Sequence, residues 1–279
     1  MRFLLVFCAS LFGCSIKSST SSNTTITQNK VVPQAEYKAG QGPTETKGIT
    51  KVEVLGIIDL QTEFEGFSMP IHMRARRLSI DETGVVAAHE HQARPGIAVM
   101  LSGEMTEFRD TQSFVRKVGD HSFEKTGVTH WWENKSGAPA QALVVDILTP
   151  KEEVSLTAFQ KNFEWKEAPT ENVGLSITKK AMLSLSGEDT VLSNKSLRLR
   201  VVDVAPDGVV GNHLHTSRPG FAYIVHGTLV EYRNDQSTSQ KHETGTLVVE
   251  QNGVQHYWKN ESGQTATVMV VDIVPTPKE

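Results

Sequence analysis

The chain contains two copies of one long sequence pattern, and this internal repeat limits its fold more than any other feature. A shift of 124 positions lays residues 73–109 on residues 197–233, so that the pattern H-x-H-x-x-R-P-G occurs twice. A shift of 126 then lays residues 119–134 on residues 245–260, because the second copy has a loop two residues longer near "NDQSTSQKH". A repeat of this length predicts two domains that share one fold.

Each copy is built from short β-branched and aromatic runs separated by Gly, Asp, Asn and Pro, such as "FAYIVH", "TLVEYR" and "TVMVVDI" in the second copy. Runs of this length and composition are typical of strands, and their regular spacing predicts an all-β sandwich or barrel. We therefore expect one all-β domain at 46–150 and a second at 170–279. The linker between them, 151–169, includes a stretch at 151–165 that could form a short helix.

Size and charge narrow the class of function. The 279 residues suffice for two domains, and 38% hydrophobic residues is ordinary for a chain that buries a core in each. The formal net charge is only −4 and no basic run stands out, so we expect no nucleic-acid partner.

The N-terminal segment "MRFLLVFCASLFGCS" contains both cysteines of the chain, Cys8 and Cys14. Its apolar run, residues 3–12, is too short to span a bilayer as a helix but suits the core of a signal peptide. The end of the run, Leu11-Phe12-Gly13-Cys14, resembles the lipobox of bacterial lipoprotein signal peptides, in which the cysteine becomes the lipidated N-terminus. The alternative is an ordinary secretory signal cleaved after a small residue such as Ser19 or Ser22.

The lipobox resemblance implies a signal peptide at 1–13 and membrane attachment through a lipid on Cys14. Residues 14–45 are rich in Ser, Thr, Asn and Gln, a composition that favours a flexible tether. Ser15 follows the cysteine, and a residue other than Asp there implies the outer membrane by resemblance to diderm lipoproteins. We expect a lipid-anchored protein of the bacterial cell envelope, facing the periplasm.

Each copy also contains three histidines, a pair followed by a third. A pair at i and i+2 on a strand faces one side of a sheet, and a third lies downstream in the pattern G-x7-G-x2-H-x3-N. A single H-x-H pair is more often ordinary surface or core, but a third histidine present in both copies favours metal binding. The candidate ligands are His89, His91 and His130 in the first copy and His213, His215 and His256 in the second.

These residues resemble the two cupin motifs, G-x5-H-x-H-x3-4-E-x6-G and G-x5-P-x-G-x2-H-x3-N. The likeness covers almost all of 70–150 and 195–275, so the chain resembles a bicupin. The resemblance implies an all-β fold of two tandem double-stranded β-helix domains, which are cupin-type jelly-roll barrels, with one divalent metal in each.

The sequence departs from the motifs at two points. The motif proline is replaced by Lys125 and Gln251. The motif glutamate is missing, because its alternative positions hold Pro95-Gly96 and Pro219-Gly220. We therefore expect a metal held by three neutral imidazoles, which keeps its full +2 charge and has open coordination positions.

The resemblance favours iron(II), with Mn, Zn, Ni or Cu as alternatives, because three-histidine cupins that hold iron(II) include dioxygenases. We accordingly expect a dioxygenase-like oxidoreductase acting on a small oxygenated or anionic substrate. Two alternatives remain open: a non-enzymatic binder of metal or a small ligand, and a cupin with isomerase or lyase chemistry. The sequence also leaves a homo-oligomer open.

Other residues give weaker indications. Arg94 and Arg218 follow the histidine pairs, where they would either neutralise an anionic substrate or cap a surface turn. Trp132 and Trp258 share the inward face of the third histidine, where they would either wall a pocket or fill the core. Paired residues further out suggest only ion pairs or amphipathic strands, namely Glu107 with Arg109, Glu231 with Arg233, Arg74 with Arg76, and Arg198 with Arg200. The histidines without a repeat partner are left out of the site: His72, His121, His226 and His242.

Overall fold

The computed structural model describes residues 42–109, 112–152, 154, 156 and 159–277. It confirms the expected all-β fold, because two eight-stranded sheets each curl into a nearly closed barrel. The signal peptide expected at 1–13, Cys14 and most of the tether expected at 14–45 lie outside the described residues. Within the described part of the chain, no helix combines the length and apolar character that crossing a bilayer requires.

The first barrel contains eight antiparallel strands and one 3-10 turn, Leu60–Thr62. The strands are β1 (Lys47–Asp59), β2 (His72–Glu90), β3 (Gly96–Ser102), β4 (Glu104–Arg109), β5 (Gln112–Lys117), β6 (His121–Glu124), β7 (Thr129–Glu133) and β8 (Ala140–Leu148). They hydrogen-bond in the order β5-β4-β7-β2-β8-β3-β6, and β1 pairs with β2.

The second barrel repeats this arrangement. Its strands are β9 (Val173–Ser184), β10 (Lys195–Leu214), β11 (Gly220–His226), β12 (Thr228–Arg233), β13 (Gln240–Glu243), β14 (Leu247–Glu250), β15 (Gln255–Lys259) and β16 (Ala266–Pro275). The order β13-β12-β15-β10-β16-β11-β14, with β9 against β10, matches the first barrel strand for strand.

One long strand joins the two halves of each barrel. The first part of β2 pairs with β1 and β8, whereas its last residues, from Val85 to Glu90, pair with β7. The register shifts between Val86 and His89, which bends the strand where it changes partners. This exchange brings the C-terminal end of β2 against β7 at the mouth of the barrel.

Successive side chains on the inner strands point alternately into the barrel interior and into a second core outside it. On β8, Ala142 and Val144 face the barrel interior, whereas Leu143, Val145 and Ile147 pack on the opposite side. That opposite side belongs to one cluster shared by both barrels, which includes Ile58, Leu60, Phe64, Leu183, Leu197, Phe221 and Ile273. A strand that is buried on both faces shows a continuous apolar run rather than alternation, which is what "ALVVDI" shows.

Polar contacts also cross between the barrels. Both carboxylate oxygens of Glu63 accept from the backbone N–H of Asn252 at 2.9 Å, and Thr126 donates to Glu188 at 2.7 Å. The shared apolar cluster and these hydrogen bonds hold the two barrels against each other.

The connection between the barrels differs from the sequence expectation in one respect. The described residues of 151–169 have no helical turns; they form bends, irregular backbone and a hydrogen-bonded turn. Trp165 in this segment donates from its indole N–H to the carbonyl of Arg233 at 2.9 Å and packs edge-on against Tyr232. Contacts with the second barrel thus replace the backbone hydrogen bonds of a helix.

Candidate metal centres

The fold brings the three histidines of each copy together at one end of the barrel. His89 lies on β2 directly opposite His130 on β7, and His91 is the first residue after β2. The second barrel repeats the arrangement, with His213 on β10 opposite His256 on β15. Cross-strand neighbours have Cβ atoms about 5 Å apart, so the pairing alone places two imidazoles within reach of one ion.

The distances between the ring nitrogens fit a single divalent ion. In the second barrel, the Nε2 atoms of His213, His215 and His256 lie 3.3, 3.1 and 3.2 Å apart, and in the first, those of His91 and His130 are 3.0 Å apart. Two nitrogens about 2.1 Å from a common metal are about 3.0 Å apart at a right angle and about 3.4 Å apart in a tetrahedron. In each trio, the ligand atoms lie within 4.8 Å of one another.

The outer nitrogen of each ring fixes its orientation. In the first barrel, Nδ1 of His89 lies 2.8 Å from the Ala87 carbonyl, and Nδ1 of His91 lies 3.3 Å from that of Arg94. The second barrel keeps both contacts, from His213 to Gly211 at 2.9 Å and from His215 to Arg218 at 3.1 Å. A carbonyl can only accept, so Nδ1 carries the proton and the Nε2 lone pair points to the centre of the trio.

Burial keeps the two imidazoles of each histidine pair neutral. It lowers the pKa of His91 to about 3 and that of His215 to about 2, and the neighbouring imidazole of the trio adds to the effect. Burial likewise lowers the pKa of His213 to about 4 and reduces that of His89. Neutral imidazole is the form that binds a metal, so near pH 7 these rings need lose no proton before they do so.

A buried carboxylate supports the third histidine of each trio. Glu107 accepts from His130 Nδ1 at 2.9 Å, and Glu231 accepts from His256 Nδ1 at 2.5 Å. Burial alone would raise the pKa of Glu107, but the hydrogen bond from His130 and the charges of Arg109 and Arg116 hold it at about 2. The two carboxylates form the ion pairs with Arg109 and Arg233 that the sequence suggested, at 3.3 and 3.6 Å. They are buried rather than exposed, and they also support the metal-facing rings.

The two copies anchor this carboxylate differently. In the first barrel, Arg116 donates to Glu107 at 2.6 Å, and Ser122 donates to it at the same distance. In the second barrel, His242 takes the place of Arg116 and lies 2.9 Å from Glu231. Sequence reasoning left His242 out of the site because it has no histidine partner in the repeat, whereas its true partner is an arginine.

Two further glutamates, one per barrel, were missed by sequence reasoning. Glu124 at the end of β6 and Glu250 at the end of β14 are both buried beside their trios. Burial, reinforced by the nearby charge of Asp146, raises the pKa of Glu124 to about 8, and burial raises that of Glu250. The repeat aligns these glutamates with each other, and this was the signal available in the sequence.

A cavity of about 300 Å³ in the first barrel is lined by His89 and His91, and one of about 290 Å³ in the second barrel is lined by His213. Apolar side chains form most of the wall, among them Leu78, Met100, Met105 and Val144 in the first barrel and Val202, Val210, Leu229 and Val268 in the second. Such a cavity suits a small molecule with an apolar body.

Trp132 and Trp258 take both roles that the sequence left open. Each packs in the interior cluster of its barrel and also lines the cavity. Trp132 meets the His130 ring edge-on at 5.7 Å between centroids, and Trp258 meets His256 at 5.6 Å. They therefore form part of the wall beside the third histidine.

Arginines supply the polar side of the cavity. Arg94 lines the first cavity and Arg218 the second, where its Nη2 lies 3.4 Å from His215 Nε2. Arg76 and Arg200 line the cavities too, so the polar face of each amphipathic strand that the sequence suggested contributes to a cavity.

Three arginines of the first barrel lie near two buried carboxyl groups, those of Asp146 and Glu124. In the first barrel, Asp146 accepts from Arg74 at 2.8 and 3.1 Å and from Arg76 at 3.0 Å, and Arg94 lies 3.8 Å away. The buried Nε atoms of Arg76 and Arg94 have no hydrogen-bond partner among the described residues. This excess of positive charge favours an anionic ligand at the cavity.

The fold and the two trios define a protein of two tandem β-barrels, each with a three-histidine group of metal-ligand geometry. Residues 200–272, within the second barrel, match the family model described as Cupin domain. No curated protein sequence matches the chain.

Solved structures share the fold at low sequence identity. Salicylate 1,2-dioxygenase from Pseudaminobacter salicylatoxidans is 11% identical with a TM-score of 0.51, over 72% of this chain and 70% of that one. The same enzyme with gentisate adducts gives 11% identity and a TM-score of 0.52, over 77% of this chain and 72% of that one. AerE from Microcystis aeruginosa is 16% identical with a TM-score of 0.49, over 76% of this chain and 99% of that one.

Proposed function

We propose that the protein is a metal-dependent dioxygenase that acts on a small carboxylate with an apolar body, with iron(II) as the favoured metal. The observation that carries the proposal is the position of each trio, at the end of a small cavity that has an apolar wall and an arginine at its polar side. A three-histidine face around a redox-active ion leaves adjacent coordination positions for dioxygen and a chelating substrate.

Bound iron would supply the redox chemistry, and the chain's own residues would bind and orient the substrate. Arg218 is placed to neutralise a substrate carboxylate beside His215, and Arg94 is placed to do so in the first cavity. The apolar walls would exclude water from the reacting centre. Glu107 and Glu231 would keep the third imidazole of each trio in one tautomer.

The test is oxygen uptake by protein loaded anaerobically with iron(II). Salicylate and gentisate are the first compounds to offer, because an enzyme of the same fold is named for the former and was solved with the latter. Diketones, flavonols and thiol acids complete the panel. We expect oxygen uptake with formation of an oxygenated product, and loss of both in a chain carrying His91→Ala and His215→Ala.

If protein fully loaded with iron(II) consumes no oxygen with any compound of the panel, the proposal is contradicted. Melting shifts on ligand addition without any product would instead support a non-enzymatic binder. Turnover without oxygen uptake, with zinc or manganese bound, would support isomerase or lyase chemistry.

We also propose that Cys14 is lipidated and anchors the chain to the outer membrane. The proposal rests on the apolar run and the Gly13-Cys14 pair that ends it. Expression with radiolabelled palmitate should label the protein, and Cys14→Ala should remove the label. A labelled Cys14→Ala chain, or an unlabelled parent chain, would overturn the proposal.

A further inference from the structure

Each barrel buries one glutamate that faces its histidine trio. The Glu250 oxygens lie 3.7 Å from His215 Nε2 and 3.8 Å from His256 Nε2. In the first barrel, the Glu124 oxygens lie 3.6 Å from His91 Nδ1 and 3.9 Å from His130 Nε2. The Glu250 carboxylate thus lies near two of the three Nε2 atoms that converge on the centre of its trio, and the Glu124 carboxylate lies near one.

These carboxylates have no hydrogen-bond donor among the described residues, although their side chains are only 6% and 7% exposed. The contrast is with Glu107, a buried glutamate in the same barrel that accepts from Ser122, Arg116 and His130. A buried carboxylate without a donor is unfavourable unless a cation neutralises it. Arg94 and Arg218 attract Glu124 and Glu250 only from beyond ion-pair distance, whereas a cation held between each carboxylate and its imidazoles would contact the carboxylate directly.

The strand register explains why the carboxylate stands where it does. The first motif lacks its glutamate, and Gly96 and Gly220 occupy one of that residue's alternative positions. Gly96 pairs directly with Glu124 across β3 and β6, and Gly220 pairs with Glu250 across β11 and β14. A carboxylate is therefore present on the adjacent strand, β6 or β14, directly opposite the position where the motif has its glutamate.

No side chain fits at the glycine itself. A Cβ on Gly96 would lie 2.8 Å from the Val145 carbonyl oxygen, and one on Gly220 would lie 2.8 Å from the Asp272 Cβ. A glutamate at either position would force the neighbouring strand to move, whereas one on the adjacent strand reaches the same end of the barrel without a clash.

We propose that Glu124 and Glu250 are the fourth protein ligands of the metals in their barrels. The inference rests on the metal sites of the proposed function but not on dioxygen chemistry. Each centre then has three neutral imidazoles and one carboxylate, so the charge of a divalent site falls from +2 to +1 and one coordination position fewer is left for substrate. This replaces the all-imidazole site that the sequence predicts.

The test is cobalt(II) binding to the full chain, followed by calorimetry and by visible absorption, which reports the ligands and the coordination number. Glu250→Gln should weaken one of the two sites at least tenfold and change the absorption of about one equivalent. Glu124→Gln should do the same to the other site. Because each variant keeps one intact barrel, normal binding of the remaining equivalent shows that the chain has folded.

Glu63→Gln is the matched control, because Glu63 is also a buried glutamate but accepts from Asn252 between the barrels. It should leave both cobalt sites and their absorption unchanged. Glu250→Asp, which keeps the charge, should retain more affinity than Glu250→Gln.

Unchanged affinity and absorption in both Gln variants would overturn the inference while the proposed function stands. Weakened binding in these variants together with a parent chain that never consumes oxygen would leave the inference standing and refute the dioxygenase. A parent chain that binds no cobalt would overturn both.

Discussion

His256 Nδ1 lies 2.5 Å from Glu231 Oε1, and both side chains are almost completely buried beside the second histidine trio. The repeat places Glu107 against His130 in the same way. A carboxylate at Nδ1 fixes the tautomer and raises the basicity of Nε2, so it strengthens the ligand without touching the ion.

Removing this carboxylate should loosen the metal without changing its ligands. We expect Glu231→Ala to weaken metal binding in the second barrel about 10- to 100-fold, and Glu231→Gln to weaken it less because its amide oxygen still accepts from Nδ1–H. Calorimetry would give the affinity, and the cobalt absorption should keep the coordination number of the parent. Loss of one ligand from that spectrum would contradict a positioning role for Glu231.

Arg218 should recognise a carboxylate. We expect Arg218→Gln to weaken binding of salicylate to metal-loaded protein roughly 10- to 100-fold, because a charge-assisted hydrogen bond contributes about 1.5–3 kcal/mol. Arg77→Gln is the control, since Arg77 pairs with Glu53 on the adjoining strand at 2.6 Å and lines neither cavity. Equal salicylate affinity in Arg218→Gln and the parent would count against the anion site.

Gly220 should tolerate no side chain. A Cβ there meets Asp272 Cβ at 2.8 Å and the Val271 carbonyl oxygen at 3.0 Å, so we expect Gly220→Ala to lower the free energy of unfolding by about 1–3 kcal/mol. Gly263→Ala is the control, because an added Cβ has nothing within 4 Å at that position. Chemical denaturation measures both, and equal stability of the two variants would show that the strands around Gly220 yield.

Glu63 should make the stability depend on pH in the direction opposite to an ordinary ion pair. Burial raises the pKa of Glu63 to about 7 from an ordinary value of 4.5, against the hydrogen bond from Asn252. The folded chain therefore holds the proton more tightly than the unfolded chain. The stability contribution of this group is complete below pH 4.5 and is lost as the pH rises to about 7.

The comparison with Glu63→Gln isolates this effect from other titrating groups. The difference in free energy of unfolding between the parent and the variant should fall by up to about 3 kcal/mol between pH 4.5 and 7. Denaturation of both chains across this range, without metal, measures it. A difference that stays constant with pH would mean that Glu63 titrates normally.

The fold and the convergence of the histidines could be predicted because they depend on local spacing and on the repeat. The pair at His89 and His91 is followed by a third histidine 39 residues after His91, and the second copy has the same pair with its third histidine 41 residues after His215. Because side chains on a strand alternate between two faces, the two histidines of a pair at i and i+2 lie on the same face. The repeat then predicts two barrels rather than one.

The residues that tune the site were not predictable in the same way, because their roles depend on register between distant strands. Glu124 acquires its place from pairing with Gly96, and Arg76 from its hydrogen bond to Asp146 across β2 and β8. Nor does the sequence reveal that the outer face of β8 packs against the other barrel, since an apolar run is equally consistent with any buried strand.

Metal content is the most direct test of the central claim that each trio holds one divalent ion. Protein should be purified without chelators, reloaded with iron(II) under anaerobic conditions and desalted. Its metal content should then be measured by inductively coupled plasma mass spectrometry. The account predicts about two ions per parent chain, about one in His91→Ala or His215→Ala, and none in the double variant. A parent chain that retains no stoichiometric metal, or a double variant that retains as much as the parent, would contradict it.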